Sequence, residues 1–155
     1  MTEHAFRLRK KLDGPVPPPR WPTGFSCRTL LPGDAHAIHD VMSRAYEDGR
    51  GVPPFDIWWP NFSGDPEFDA SLCFLVVGQE GIAGVALCWT GAFLKDLAVH
   101  PDARRLGIGE NLLRLVFGVF QARGASSVDL KVEADNRNAI RLYERAGMYR
   151  VPWEG

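Results

Sequence analysis

An α+β fold built on a mixed β-sheet is what this 155-residue chain predicts, and three observations carry that prediction. Residues 71–77 and 82–89 are apolar runs joined through Gly78-Gln79-Glu80-Gly81, the pattern of an antiparallel hairpin. The second half alternates strand-like and helix-like segments at 93–99, 110–122, 128–133 and 136–146, which implies a right-handed crossover and neighbouring parallel strands. Between the first two of these segments lies Arg104-Arg105-Leu106-Gly107-Ile108-Gly109, a basic, glycine-bearing turn at the start of a helix.

Taken in order, residues 1–24 are polar and then proline-rich, with Pro15, Pro17, Pro18, Pro19 and Pro22. They read as an extended arm laid over the domain or a partner, or as a loosely ordered tail. Residues 25–155 read as a single domain, its first strand at 25–30. Pro32-Gly33-Asp34 is a turn whose aspartate suits a helix N-cap. Ile38, Val41, Met42, Ala45 and Tyr46 then fall on one helical face that stops near Gly49. His36, His39 and Asp40 share this helix, but nothing elsewhere completes a ligand set, so no metal site is expected.

Residues 51–69 read as irregular and aromatic, with Phe55, Trp58, Trp59, Phe62 and Phe68 among prolines. They wall a pocket or cap a hydrophobic edge, and the residues favour neither. Beyond the basic turn, Leu112, Leu113, Val116, Phe117 and Phe120 make one helical face, and Gly124 follows where a left-handed cap residue belongs. Val128, Leu130 and Val132 alternate with Asp129, Lys131 and Glu133, a half-buried strand. Ala139, Ile140, Leu142, Tyr143 and Ala146 form the apolar side of a last helix.

The composition, 45% hydrophobic and 24% charged, is that of an ordinary soluble globular domain long enough to bury a core. A net charge of -1 gives no global field for nucleic acid or an anionic membrane. No apolar run approaches the roughly 20 residues of a membrane span, and no secretory signal opens the chain. Three cysteines, Cys27, Cys73 and Cys88, without a CxxC spacing, read as buried thiols of a reducing, cytoplasmic compartment.

The turn at 104–109 has the parts of a pyrophosphate cradle. Glycine lets backbone approach a ligand without an intervening Cβ. The first N–H groups of a helix lack internal partners and lie at the positive end of its dipole. Arg104 and Arg105 add forked donors suited to phosphate oxygens. A nicotinamide dinucleotide is the competing ligand, with Gly107 and Gly109 as fingerprint glycines and Asp129 at the acidic spacing. Against it, the third small residue is Leu112, and a basic turn separates strand from glycines.

Arg104-x-x-Gly107-x-Gly109, preceded by Leu97-Ala98-Val99-His100-Pro101, resembles the acetyl-CoA signature of the GNAT superfamily of N-acetyltransferases. Asn136-x-x-Ala139-Ile140-Arg141-Leu142-Tyr143-Glu144-Arg145-Ala146-Gly147-Met148 resembles that superfamily's C-terminal motif. The resemblance covers about residues 93–149. It implies a central twisted mixed sheet flanked by about four helices and splayed between the strands ending at Val99 and Glu133, with the cofactor in the gap.

By position, the resemblance implies that the N–H groups of Leu106, Gly107, Ile108, Gly109 and Glu110 hold the pyrophosphate, with Arg104 and Arg105 beside it. The backbone of Leu97, Ala98 and Val99 would pair with the pantetheine arm, and the Ala98 or Val99 N–H would polarise the thioester carbonyl. Asn136 would contact the pantetheine or order its turn, with Ala139 in the same cofactor-binding motif. Tyr143 would face the sulfur; by periodicity alone it is a core tyrosine. Where some relatives carry a glutamate base this chain has Lys131, which leaves Asp96 and Glu133 as candidate bases acting through water or as salt-bridged sheet residues.

The expected function is therefore acetyl transfer from acetyl-CoA to a primary amine of a small molecule or peptide, by direct attack. An acyl-CoA-binding sensor without turnover and a nicotinamide-dependent oxidoreductase are the alternatives. The few residues after Met148 suggest a pocket completed by the N-terminal arm or by a second subunit of a homodimer.

Overall fold

A computed structural model describes residues 4–46 and 51–153. Among them, seven strands form one mixed sheet and four helices pack on its two faces. The strands are β1 (Ala5–Lys11), β2 (Ser26–Thr29), β3 (Phe68–Gly78), β4 (Gly81–Trp89), β5 (Phe93–Val99), β6 (Ser127–Glu133) and β7 (Tyr149–Val151), in the order β2-β3-β4-β5-β6-β1-β7. The helices are α1 (Ala35–Ala45), α2 (Phe55–Ser63), α3 (Ile108–Ala122) and α4 (Arg137–Arg145). All neighbours pair antiparallel except β5 and β6. None of the helices is long and apolar enough to cross a membrane.

The continuous apolar run of β3 has a simple cause: both faces of the sheet are covered there. Leu72, Phe74 and Val76 pack into the core beneath α3, beside Leu112, Leu113, Val116, Phe117 and Phe120. Cys73 and Leu75 point the other way, against Ile38, Val41 and Met42 of α1 and Trp58 and Phe62 of α2. Burial pushes the Cys27 thiol up to about 11 and the Cys73 thiol up to about 12. Neither forms a disulfide, and both remain in the unreactive thiol form at neutral pH.

Three expectations are corrected. The N-terminal segment is not merely an arm: Ala5–Lys11 is a strand inserted between β6 and β7. Its alternation explains this, for Leu8 is buried while Arg7 and Arg9 on the opposite face clamp the Asp129 carboxylate at 2.7 and 2.8 Å. Only the stretch after it runs over α3, where the Gln121 side-chain amide donates to the Leu12 and Gly14 carbonyls.

The aromatic stretch contains a helix, α2, despite Pro60. Phe55, Trp58, Trp59 and Phe62 stand at i, i+3, i+4 and i+7, and burial of Trp58 and Phe62 outweighs the hydrogen bond that proline removes. Trp58 and Phe62 lie in the core, and Phe55, Trp59 and Phe68 pack half-buried against it. Phe62 alone meets the rings of Trp58, Trp59, Phe68 and Trp89 at 5.1–6.2 Å.

Asp34 precedes α1 but does not cap it with its side chain. Arg28 captures the carboxylate instead, at 2.7 and 3.0 Å, and the Leu31 N–H donates to it at 2.7 Å. A bidentate guanidinium offers more than one backbone N–H. The predicted stop of α1 at Gly49 lies outside the described residues; the helix itself ends at Ala45.

Candidate active site

The site begins with a defect in the sheet. β5 and β6 pair in parallel only at Phe93↔Asp129 and Leu94↔Leu130, after which β5 runs on without β6 beside it. On its other edge β5 stays paired to β4 as far as Val99. The β5 backbone from Lys95 onward therefore borders a gap.

A β-bulge decides what faces that gap. Leu87 opposes Asp96 while Cys88 opposes Leu94, so Lys95 is an extra residue. Normally consecutive side chains take opposite faces; the extra residue puts Lys95 and Asp96 on the same one, as bulges near functional sites do. Lys95 Nζ lies 5.5 Å from the Phe62 ring and 5.9 Å from that of Trp89, and 2.9 Å from Asp96 Oδ2. The other Asp96 oxygen accepts the Tyr46 hydroxyl at 3.2 Å, and the same hydroxyl lies 3.4 Å from the Leu97 carbonyl.

Register also orients the backbone. The His100 N–H donates to the Ala83 carbonyl, so alternation directs the polar groups of Ala98 toward β4 and those of Leu97 and Val99 toward the gap. Of the two amides named as candidates for polarising a thioester, that of Val99 faces the gap and that of Ala98 faces β4.

After β5, the chain makes a one-turn helix over Pro101–Ala103, with the His100 ring accepting the Asp102 N–H. It then passes Arg105 and Gly107, both in the left-handed region at φ 66° and 79°. Gly107 is the residue before α3, whose first ladder bond is Asn111 N–H to the Gly107 carbonyl at 3.0 Å. The amides of Ile108, Gly109 and Glu110 precede that ladder, at the positive end of a 15-residue helix.

The glycines have separate tasks. Gly107 supplies the left-handed turn. A Cβ at Gly109 would stand 3.3 Å from Leu142 of α4 and 3.6 Å from Val99, so this glycine eases the close approach of the helix start to α4, beside the end of β5. From below, Gly84 of β4 admits Ile108 so closely that a Cβ there would come within 2.8 Å of it. Strand end, turn and helix start thus form one compact corner, with the amides of Ile108, Gly109 and Glu110 at the helix's positive end.

Arg104 does not reach over the cradle; its guanidinium donates to the Ala45 carbonyl at the end of α1, at 3.0 Å. Arg105 and Leu106 are exposed at the turn. Asn136 caps α4 by accepting the Ala139 N–H at 3.2 Å, which orders the local turn. Tyr143 is buried on α4. Burial pushes its phenol well up, and the Asp96 charge adds to the effect. Asp96 and Tyr143 therefore interact, whereas Glu133 stands exposed at the end of β6 and no interaction among the described residues links it to either.

Two contributors escaped the sequence reading. Tyr46 looked like the last apolar position of α1 yet turns its hydroxyl to Asp96. Asn111, a buried polar residue on the core-facing helix, accepts the Arg20 N–H at 2.7 Å and donates to the Gly107 carbonyl at 2.8 Å. An asparagine amid apolar helical positions was the available signal. No cluster of three or more potential metal ligands occurs among the described residues.

A splayed mixed sheet, a bulged strand at the gap and the start of α3 beside it are what the fold brings together here. Residues 35–148 match the acetyltransferase (GNAT) family, and the chain belongs to it. Mycothiol acetyltransferase of Streptomyces coelicolor is 28% identical over 153 residues, covering 91% of this chain and 48% of that protein. The Thermomonospora curvata enzyme of the same name is 31% identical over 157 residues, covering 94% and 51%. Among solved structures, a GCN5-related N-acetyltransferase from Sphaerobacter thermophilus superposes with a TM-score of 0.81 at 34% identity, over 95% of this chain and 48% of that one. An aminoglycoside acetyltransferase from a soil metagenome shares the fold, with a TM-score of 0.63 at 17% identity over 80% of this chain and 88% of that one. The chain spans about half the length of the curated relatives it matches.

Proposed function

We propose that this protein is an N-acetyltransferase that moves an acetyl group from acetyl-CoA to a primary amine of a small molecule, with a peptide amine as the second acceptor class. The observation that carries the reading is the corner where the Leu97–Val99 edge, unpaired by β6, meets the leading amides of α3. Relatives named mycothiol acetyltransferase support a small-molecule acceptor.

Acetyl-CoA would supply the acetyl group as a thioester, with its diphosphate on the amides of Ile108, Gly109 and Glu110. The Leu97 and Val99 backbone would align the pantetheine chain as an added strand does. The Val99 N–H, which faces away from β4, would donate to the oxygen on which charge develops. Asp96 is the candidate base. An amine of reference pKa about 10.4 must lose a proton to attack at pH 7, a cost of roughly 4–5 kcal/mol, and a carboxylate acting through water would receive that proton as the C–N bond forms. Tyr143 stays a neutral phenol across the working range, since burial disfavours the phenolate. It therefore serves the departing sulfur as a hydrogen-bond donor, and a thiol of reference pKa about 8.5 leaves readily as the thiolate.

Release of free thiol from acetyl-CoA with benzylamine, putrescine, glucosamine and a short peptide with a free N-terminus tests the reading. Turnover with at least one of them is expected. Binding of CoA without thiol release would favour an acyl-CoA sensor, and binding of NAD in place of CoA would overturn the cradle assignment.

A further inference from the structure

The end of α1 is fixed to the reaction gap from two sides. Arg104, in the turn leading to the cradle, donates to the Ala45 carbonyl. The next residue, Tyr46, sends its hydroxyl to Asp96 Oδ1 and the Leu97 carbonyl. Leu97 is one of the two residues whose backbone faces the gap, so the phenol stands at its edge. Three elements converge here: α1 with Tyr46, β5 with Lys95 and Asp96, and α4 with Tyr143.

We propose that Tyr46 is a positioning residue for acetyl transfer: its hydroxyl, spanning Asp96 Oδ1 and the Leu97 carbonyl, holds the Asp96 carboxylate toward the gap where the acceptor amine loses its proton. The inference rests on Asp96 being the base. Asp96 has two anchors, one per oxygen: Tyr46 on Oδ1 and Lys95 on Oδ2. Lys95 is drawn to the faces of Phe62 and Trp89, on the α2 side. Alone, it would turn the carboxylate into a closed ion pair on that side. The Tyr46 bond opposes that pull, and a carboxylate with about four lone-pair sites keeps acceptor capacity for a water or an amine proton.

The Tyr46 phenol suits this task because it stays a donor. Burial first, then the charge of Asp96, push it well above its ordinary value, so it does not ionise beside the carboxylate. Among the described residues, the groups that act on Asp96 are Tyr46 just after α1, Lys95 on β5 and Tyr143 on α4.

The test is a double-mutant cycle of Tyr46→Phe and Asp96→Asn, assayed by thiol release with acetyl-CoA and the most active amine of the panel above. Tyr46→Phe keeps the ring and its packing; its CoA affinity, measured alongside, is expected to match wild type, and its cooperative thermal unfolding to shift down by only about 2–8 °C for the lost hydrogen bond. Its kcat should fall roughly 10- to 100-fold with little change in the KM for acetyl-CoA. The double variant should be no slower than Asp96→Asn alone, because one residue acts through the other. A wild-type kcat in Tyr46→Phe, or losses that multiply in the double variant, would overturn the Tyr46 assignment while leaving Asp96 in place. Wild-type kcat in Asp96→Asn would instead remove Asp96 as the base, and the Tyr46 role with it.

Discussion

The side-chain oxygen of Asn111 accepts the backbone N–H of Arg20 at 2.7 Å, while its amide donates to the Gly107 carbonyl at 2.8 Å. One buried side chain thus joins the proline-rich segment to the residue that opens α3. Asn111→Ala is expected to cost about 1–3 kcal/mol of unfolding free energy, the price of orphaned polar partners. Urea denaturation measures it. An unchanged midpoint would show that the segment is not anchored at the cradle.

Asp129 ties β1 to β6 through Arg7 and Arg9. Burial pushes its carboxyl up, but the hydrogen bonds from Arg9 and Arg7 outweigh burial and hold it below the usual carboxylate value. A depressed carboxyl stabilises the fold above its unfolded value, about 3.9, and loses that contribution as pH falls through its folded value. Asp129→Asn should therefore destabilise by about 3 kcal/mol at pH 7. The gap to wild type should close as pH drops below about 4. A difference independent of pH would mean that the ion pairs contribute nothing.

Phe62 is 2% exposed, between α2 and the sheet. Phe62→Ala should cost about 3–5 kcal/mol, read by denaturant unfolding, because rigid neighbouring rings cannot refill the space. A loss below about 1 kcal/mol would point to a collapsible surface cap rather than core.

Tyr143→Phe removes the hydroxyl assigned to the sulfur and leaves the packing. The rate of thiol release should fall on the order of 10²-fold with CoA affinity retained. Since burial holds the phenol neutral, no decline in wild-type activity below pH 10 should trace to Tyr143. Wild-type turnover in the variant would return Tyr143 to a packing role.

The cradle half of the molecule was legible because its constraints are local. Strand β5 falls at the strand-like run read from the sequence, and Gly124 takes the left-handed conformation expected of it. What stayed hidden depends on distant partners. The strand at Ala5–Lys11 is recognisable only once Asp129 shows why two arginines should face one way. Helix α2 was obscured by Pro60, whose cost is set against rings contributed by β3 and β4. The roles of Tyr46 and Lys95 follow from a bulge, and one extra residue in a strand leaves no trace in alternation over seven positions. Arg104 matched a phosphate-binding pattern, yet its guanidinium serves the end of α1.

Calorimetric titration of CoA against wild type and Gly107→Val tests most directly the proposal that the amides opening α3 hold the diphosphate of CoA. At φ 79° a β-branched residue is strained by about 1–3 kcal/mol, which unseats the amides that follow. A fall in affinity of roughly 10- to 100-fold is predicted, in a variant that still unfolds cooperatively. Wild-type affinity in that variant would contradict the claim.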